Sequence, residues 1–165
     1  MVRPAGRQDA PILARLQLDS WQQAYSDLLP AAVLLADPME QARIWAGRVG
    51  TGGPVLLAFE GATPVGLAAV DAELDTGGYA QLELLNVLPR WSRRGHGGRL
   101  LGAAAREMRN QGATLGCWWA PESDPSVQQF LLGVGWAPDD RRVLDTGEGQ
   151  LAEVRYAGNL DLILL

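Results

Sequence analysis

One stretch constrains the fold of this chain more than any other, because it joins an apolar run, a glycine-rich turn and a helical pattern. Residues 82–88 are mostly apolar and end at Pro89. Gly95, Gly97 and Gly98 follow, and apolar residues then recur at helical spacing through residues 100–108. This order predicts a strand, a loop and a helix whose free N–H groups and positive dipole end face an anion. We interpret the loop as a phosphate-binding site.

Two familiar phosphate-binding motifs do not match the residues of this segment. A P-loop closes with Gly-Lys and then Ser or Thr, whereas Gly98 is followed by Arg99 and Leu100. A dinucleotide-binding fingerprint counted from Gly95 and Gly97 would need a glycine at position 100, which is leucine. A third interpretation involves no ligand, namely a tight surface turn between a strand and a helix.

The charges are distributed unevenly along the chain. All 14 basic residues are arginine, and the net charge is −5. Residues 90–109 hold six arginines and a single acid, Glu107, so this segment carries +5 and the remainder −10. A compact basic segment on an acidic protein favours a small polyanionic ligand and predicts no nucleic-acid partner. The acidic remainder suits a cationic, amine-bearing partner, or simply aids solubility.

Length and composition bound the remaining possibilities. The 165 residues predict a single domain over 1–165. No apolar run reaches the roughly 20 residues of a membrane helix, and no signal-peptide pattern is present, so we expect no membrane partner and a cytoplasmic location. Cys117 and His96 are the only residues of their types, so neither a disulfide nor a metal site is expected.

The periodicity of apolar residues and the turn signals predict alternating elements along the whole chain. Asp9 is the expected N-cap of the first helix. The predicted order is an edge strand at 2–4, helices at 10–25 and 39–49, strands at 55–60, 65–72 and 79–88, a helix after the glycine loop, a strand at 113–119, a helix at 125–132, and strands at 143–144 and 151–156.

The glycine loop also resembles a known motif. Arg93-Arg94-Gly95, continued by Gly97 and Gly98 after a Val-x-Pro strand end, is similar to the acetyl-CoA-binding motif of the GNAT acyltransferases, with Ser92 where Gln or Arg is usual. The order of elements, Trp45, and residues 20–30 and 130–136 also resemble this family. The resemblance implies an α+β, three-layer fold, with a central mixed, mostly antiparallel sheet of 6–7 strands flanked by about four helices.

The resemblance implies acetyl-CoA as cosubstrate and assigns two sets of binding residues. Backbone groups of one strand would hydrogen-bond the acetyl-pantetheine arm like an added strand; this set is Leu85, Asn86 and Val87. The loop would hold the pyrophosphate through main-chain N–H groups and arginine side chains; this set is Arg93, Arg94, Gly95, His96, Gly97 and Gly98. His96 is expected to contribute its N–H group rather than a catalytic imidazole.

The catalytic residues are less well marked. Glu83, on the same strand face as Gln81, is a possible general base, and the alternative is that it pairs with an arginine or reaches solvent. Leu131 occupies the position of the tyrosine that many members use as general acid. Asp124 replaces an asparagine of the family, and the acid role could then pass to water, Ser126 or Tyr25.

Three aromatic residues are candidates for an acceptor pocket, with core packing as the alternative: Trp21, Tyr25 and Trp119. The implied function is acetyl transfer to a primary amine of a small molecule or a peptide N-terminus. One alternative is an acyl-CoA-binding sensor of the same fold without turnover, and another is a nucleotide-phosphate binder. Residues 160–165 are apolar enough to contribute to a homodimer or to pack within the chain.

Overall fold

A computed structural model of the protein describes residues 1–24, 27, 31, 35–147 and 149–164. These residues form seven strands and four α-helices. The strands are β1 (Val2–Pro4), β2 (Val55–Glu60), β3 (Thr63–Leu74), β4 (Ala80–Val87), β5 (Leu115–Pro121), β6 (Ala137–Asp145) and β7 (Gln150–Asn159). The helices are α1 (Ala10–Ala24), α2 (Pro38–Thr51), α3 (His96–Asn110) and α4 (Pro125–Gly133).

The strands form one sheet with the order β1-β2-β3-β4-β5-β7-β6. Every neighbouring pair is antiparallel except β4 and β5, which are parallel and are joined by the crossover through α3. The mixed, mostly antiparallel sheet that the family resemblance implied is therefore confirmed. Its one parallel pair lies at the centre of the sheet, where β4 is followed by the glycine loop.

Helices cover both faces of the sheet and enclose two apolar clusters. The strand residues alternate between them, since Leu56 and Ala58 of β2 face one cluster while Val55 and Leu57 face the other. The first cluster contains the apolar stripe of α3 and Leu131 of α4. The second cluster contains residues of α1 and Trp45 of α2. This separation gives the three layers expected from the sequence.

Two local predictions were wrong in informative ways. Asp9 does not cap α1, because its carboxylate turns back to accept the N–H of Gly6 at 2.9 Å and both terminal nitrogens of Arg3 at 2.8 and 2.9 Å. The hydrogen bonds from Arg3 lower the pKa of Asp9. Strand β6 is nine residues long, although only 143–144 were predicted, because this edge strand is exposed throughout and lacks an apolar period.

The C-terminal residues that the structure describes pack within the chain. The N–H of Ile163 donates to the carbonyl of Val134 at 3.1 Å, and Arg109 donates to the carbonyl of Leu160 at 2.7 Å. Ile163 and Leu164 nevertheless remain 60% and 49% exposed. The homodimer stays a prediction.

The described ranges show neither a membrane-spanning helix nor a cluster of metal-ligating side chains. None of the helices described there is long and apolar enough to cross a membrane. Within the same ranges, histidine, cysteine, aspartate and glutamate side chains nowhere gather into a group of three that could hold a metal ion.

Cys117 lies in β5 and is completely buried, and burial raises the pKa of its thiol to about 11. The unfolded chain loses this proton near pH 9 and the folded chain near pH 11, so the folded state binds more protons between these values. Its free energy of unfolding is therefore expected to fall by about 2 kcal/mol as pH rises from 9 to 11. Denaturant unfolding at pH 8 and 10.5 measures this difference.

Cys117→Ala is the matched control, because it removes the thiol and keeps every tyrosine. The absence of lysine leaves few other groups that titrate in this range. If the native chain and Cys117→Ala lose equal stability between the two pH values, the shielded thiol is not the cause.

Candidate acyl-transfer site

The central feature of the site is a gap between the two parallel strands. Strands β4 and β5 pair over only three residues, with Ala80 opposite Gly116 and Leu82 opposite Trp118. Beyond Leu82 the pairing of β4 with β5 stops, although β4 continues to Val87 and β5 to Pro121. The backbone groups of β4 that face β5 therefore lack a strand partner along residues 83–87.

A β-bulge marks the point at which the gap opens. Ala69 of β3 lies opposite Leu84 and the next residue, Val70, lies opposite Leu82, so Glu83 is the extra residue on β4. The bulge also reverses the faces, because Leu82 packs in the first cluster and Leu84 against the second. Local twisting at a bulge accounts for the divergence of β4 from β5.

The glycine loop follows β4 and has an unusual backbone conformation. Arg93 has a φ of 61° and Gly95 a φ of 82°, and left-handed residues of this kind can turn successive N–H groups to one side. Helix α3 begins at His96, one residue after Gly95. The first N–H groups of a helix lack intrahelical acceptors, so those of His96, Gly97 and Gly98 are available to an anion.

The loop tolerates a small side chain and exposes positive charge. A Cβ atom added at Gly97 would come no closer than 3.6 Å to another heavy atom, a ring carbon of Phe130, which is ordinary contact. The arginine side chains of the loop are exposed, and the guanidinium of Arg94 stacks at 4.9 Å over the ring of Trp91. The loop thus combines the N–H groups of a helix start with exposed positive charge, which suits a pyrophosphate.

His96 has a structural function that the sequence did not indicate. Its side chain is buried, and Nε2 lies 2.6 Å from a carboxylate oxygen of Glu60, an ion-pair distance without hydrogen-bond geometry. Nδ1 lies 3.2 Å from Arg99, whose guanidinium also donates to the carbonyl of Arg94 at 3.2 Å. His96 and Arg99 therefore tie the loop to β2 and to the first turn of α3.

The gap and the loop together define an architecture that comparison with known proteins identifies. The model of the acetyltransferase (GNAT) family matches residues 14–133. The chain belongs to this family. Membership makes the protein an acyltransferase, and acetyl-CoA is the acyl donor of the family.

Solved structures of GNAT proteins share the fold at low sequence identity. PaiA N-acetyltransferase from Thermoplasma acidophilum, in complex with coenzyme A, has a TM-score of 0.78 and 16% identity, covering 96% of this chain and 98% of that one. Ribosomal-protein-alanine N-acetyltransferase from Brucella melitensis has a TM-score of 0.77 and 18% identity, covering 96% and 99%. YncA from Salmonella typhimurium, with its cofactor acetyl-CoA, has a TM-score of 0.74 and 17% identity, covering 98% and 94%. No curated protein sequence matches the chain.

Glu83, the extra residue of the bulge, is paired with an arginine. Its Oε2 atom accepts from Nε and Nη2 of Arg48 at 3.1 and 2.9 Å. Arg48 also donates to the carbonyls of Gly53 and Val70 at 2.6 and 2.7 Å, which fixes the guanidinium at this position. The Glu83 side chain is 35% exposed. The alternative of an arginine pair is thus realised, and the carboxylate remains accessible from solvent.

The family position of the general acid is apolar and enclosed in this GNAT protein. Leu131 is completely buried in the first cluster and has no proton to donate. Asp124 caps α4 by accepting the N–H groups of Ser126 and Val127. The Ser126 hydroxyl donates to the Asp124 carboxylate at 2.7 Å, so this candidate acid is already engaged. Water or another side chain must serve if an acid is needed.

The structure describes two of the three aromatic residues that were predicted to line an acceptor pocket, Trp21 and Trp119. Trp119 is half-buried on β5, and the guanidinium of Arg142 lies 4.2 Å from its ring centroid. Trp118, its neighbour, packs in the first cluster. Trp21 is half-buried on α1. Tyr25 lies outside the described residues. An acceptor role for Trp21 and Trp119 stays a prediction.

The loop assignment is tested by placing a carboxylate among its N–H groups. Gly97→Glu is expected to weaken CoA binding on the order of 100-fold, because its carboxylate repels the phosphates. Gly97→Ala has room for its methyl group and should keep the native melting temperature. Calorimetric titration with CoA measures the dissociation constants. Gly47→Glu, in open space on α2, is the matched control. Native affinity in Gly97→Glu would place the phosphates elsewhere.

A second prediction concerns the tie between His96 and Arg99. His96→Phe keeps the volume and loses both polar contacts, so the loop should sample other conformations and CoA affinity should fall about tenfold. The loss of affinity should persist at high salt concentration, because the substitution removes no charge that contacts a phosphate. Arg106→Met, an exposed arginine on the same helix, is the control. Unchanged affinity in a folded His96→Phe variant would contradict this function of His96.

Proposed function

We propose that the protein is an acetyl-CoA-dependent N-acetyltransferase that acetylates a primary amine of a small molecule or a peptide N-terminus. The observation that supports it best is the gap of residues 83–87 ending at the N–H groups of the glycine loop. In this proposal Leu85, Asn86 and Val87 flank the acetyl-pantetheine arm through their backbone groups. Residues 93–98 hold the pyrophosphate. When bound, acetyl-CoA supplies a thioester with a good leaving group.

The protein's contribution to the reaction is alignment and proton removal. A neutral amine forms a bond to the carbonyl carbon while the carbon–sulfur bond breaks, and the amine gives up one proton as the amide forms. In this proposal backbone N–H groups of β4 stabilise charge on the carbonyl oxygen. Alignment in the gap provides proximity, which by itself contributes substantially to rate.

Glu83 is the proposed base, and Arg48 is its positioning residue. Arg48 is anchored by two carbonyls and holds one oxygen of the carboxylate, so it fixes the orientation of the Glu83 side chain. The exposed part of the carboxylate can receive the amine proton directly or through water. The thiolate that leaves needs no strong acid, which is compatible with Leu131 at the position of the family's tyrosine.

Two observations favour a second candidate, an acyl-CoA-binding regulatory module without turnover. Leu131 offers no proton, and Glu83 is already paired with Arg48. This candidate predicts CoA binding with native affinity and no release of CoA thiol with any amine. The cytoplasmic location and the absence of nucleic-acid partners stay predictions under either candidate.

Glu83→Gln separates the two candidates in one set of measurements. If Glu83 is the base, the substitution should lower kcat about 100-fold and leave the dissociation constant for CoA unchanged, because only proton transfer is lost. Thiol release during turnover with a panel of amines gives kcat, and calorimetry gives the affinity. Glu73→Gln, an exposed glutamate on β3, is the matched control.

Three outcomes would count against parts of this proposal. Full activity in Glu83→Gln would exclude the base role. CoA binding without thiol release in the native chain would favour the regulatory module. Binding of ATP without binding of CoA would instead support a nucleotide-phosphate site in the glycine loop.

A further inference from the structure

The side chain of Asn86 carries a hydrogen-bond donor that the residues described by the structure leave unpaired. The residue is only 7% exposed, and its amide nitrogen Nδ2 is buried with no acceptor among the residues that the structure describes. Buried amide groups are almost always paired, because an unpaired donor loses its hydration without compensation. A donor left unpaired in the ligand-free protein is therefore a candidate for pairing with a ligand.

The position of Asn86 on β4 relates this donor to the gap. It lies four residues beyond Leu82, where β4 and β5 last pair, and three residues before Pro89, where the glycine loop begins. Beyond the bulge the residues of β4 alternate between the two faces of the sheet. Leu85 packs in the first cluster, whereas Leu84 and Leu88 contact the second. Asn86 therefore lies on the face of β4 that α1 and α2 cover. Its neighbours along this face of β4, Leu84 and Leu88, are apolar.

Packing alone does not account for an asparagine at this position. The residue opposite on β3, Leu67, is fully buried in the second cluster, as are Leu13 and Leu57. A leucine in place of Asn86 would match these neighbours and leave no donor unpaired. Three further buried polar atoms lack partners among the described residues, but they lie outside β4: Trp91 Nε1, His96 Nε2 and Gln111 Oε1.

The proposed function, on which this inference rests, brings acceptor oxygens to the gap. The acyl-pantetheine arm carries one thioester carbonyl and two amide carbonyls along its length. We propose that the Asn86 carboxamide donates a hydrogen bond to a carbonyl oxygen of this arm. The interaction is made by the side chain, and it adds to the backbone contacts of Leu85 and Val87.

The acceptor is either the thioester carbonyl or an amide carbonyl of pantetheine. Acetyl-CoA carries both kinds of carbonyl, whereas CoA lacks the acetyl group and offers only the amides. If Asn86 binds the thioester carbonyl, it helps to polarise the carbon that is attacked and favours acetyl-CoA over CoA. If it binds an amide carbonyl of pantetheine, it contributes equally to acetyl-CoA and CoA. Titration with both compounds therefore distinguishes the sources without measuring turnover.

The experiment compares Asn86→Leu with Asn110→Leu, which makes the same chemical change at an exposed position on α3. Calorimetry gives the dissociation constants, and thermal unfolding gives the melting temperature without ligand. We expect Asn86→Leu to melt at the native temperature or above, because an unpaired donor is removed. We also expect about a tenfold loss of affinity, for acetyl-CoA alone or for both compounds.

Asn86→Ala keeps the test decisive if leucine prevents folding, since the smaller side chain removes the donor without adding volume. Native affinity for both compounds in a folded variant would overturn the proposal and indicate a donor satisfied by water. A lower melting temperature with unchanged affinities would overturn it in favour of a structural role. Failure of the native chain to bind either compound would instead refute the proposed function.

Discussion

The pairing of β4 with β5 over only three residues is the constraint on which the rest of the site depends. The other neighbouring strands of the described sheet pair in antiparallel ladders. Along residues 83–87 the side of β4 that faces β5 has no strand partner. Such a strand needs hydrogen bonds from another molecule, and an extended ligand with alternating donors and acceptors meets that need.

The glycine loop, residues 93–98, adds oriented N–H groups and positive charge at the end of β4. Left-handed residues 93 and 95 and the start of α3 fix the direction of several N–H groups before any ligand arrives. The buried side chain of His96 and the guanidinium of Arg99 hold this geometry from within. Because the groups are already oriented, little conformational entropy is lost on binding, which is the usual origin of affinity in preorganised sites.

The sequence predicted those parts of the molecule that have a periodic or conformational signature. The apolar stripe of α3, the strands that face a core, and the glycines of the loop all follow from local chemistry. Strand β6 was largely missed because it faces no core. The environment of His96 was missed because Glu60, its partner, is 36 positions away in the chain. The pairing of Arg48 with Glu83 was anticipated only as a general alternative, since no local pattern specifies which arginine reaches the bulge.

This protein has few side chains that could react with a thioester. Acetyl-CoA acylates accessible amines and thiolates slowly without any catalyst, so an acetyltransferase is exposed to damage by its own donor. This chain contains no lysine, and its single thiol lies beneath the sheet surface with its proton held more tightly than usual. Positive charge is supplied entirely by guanidinium groups, which bind phosphate and resist acylation. The side chains of the protein therefore offer acetyl-CoA neither an amine nor an exposed thiol to acylate.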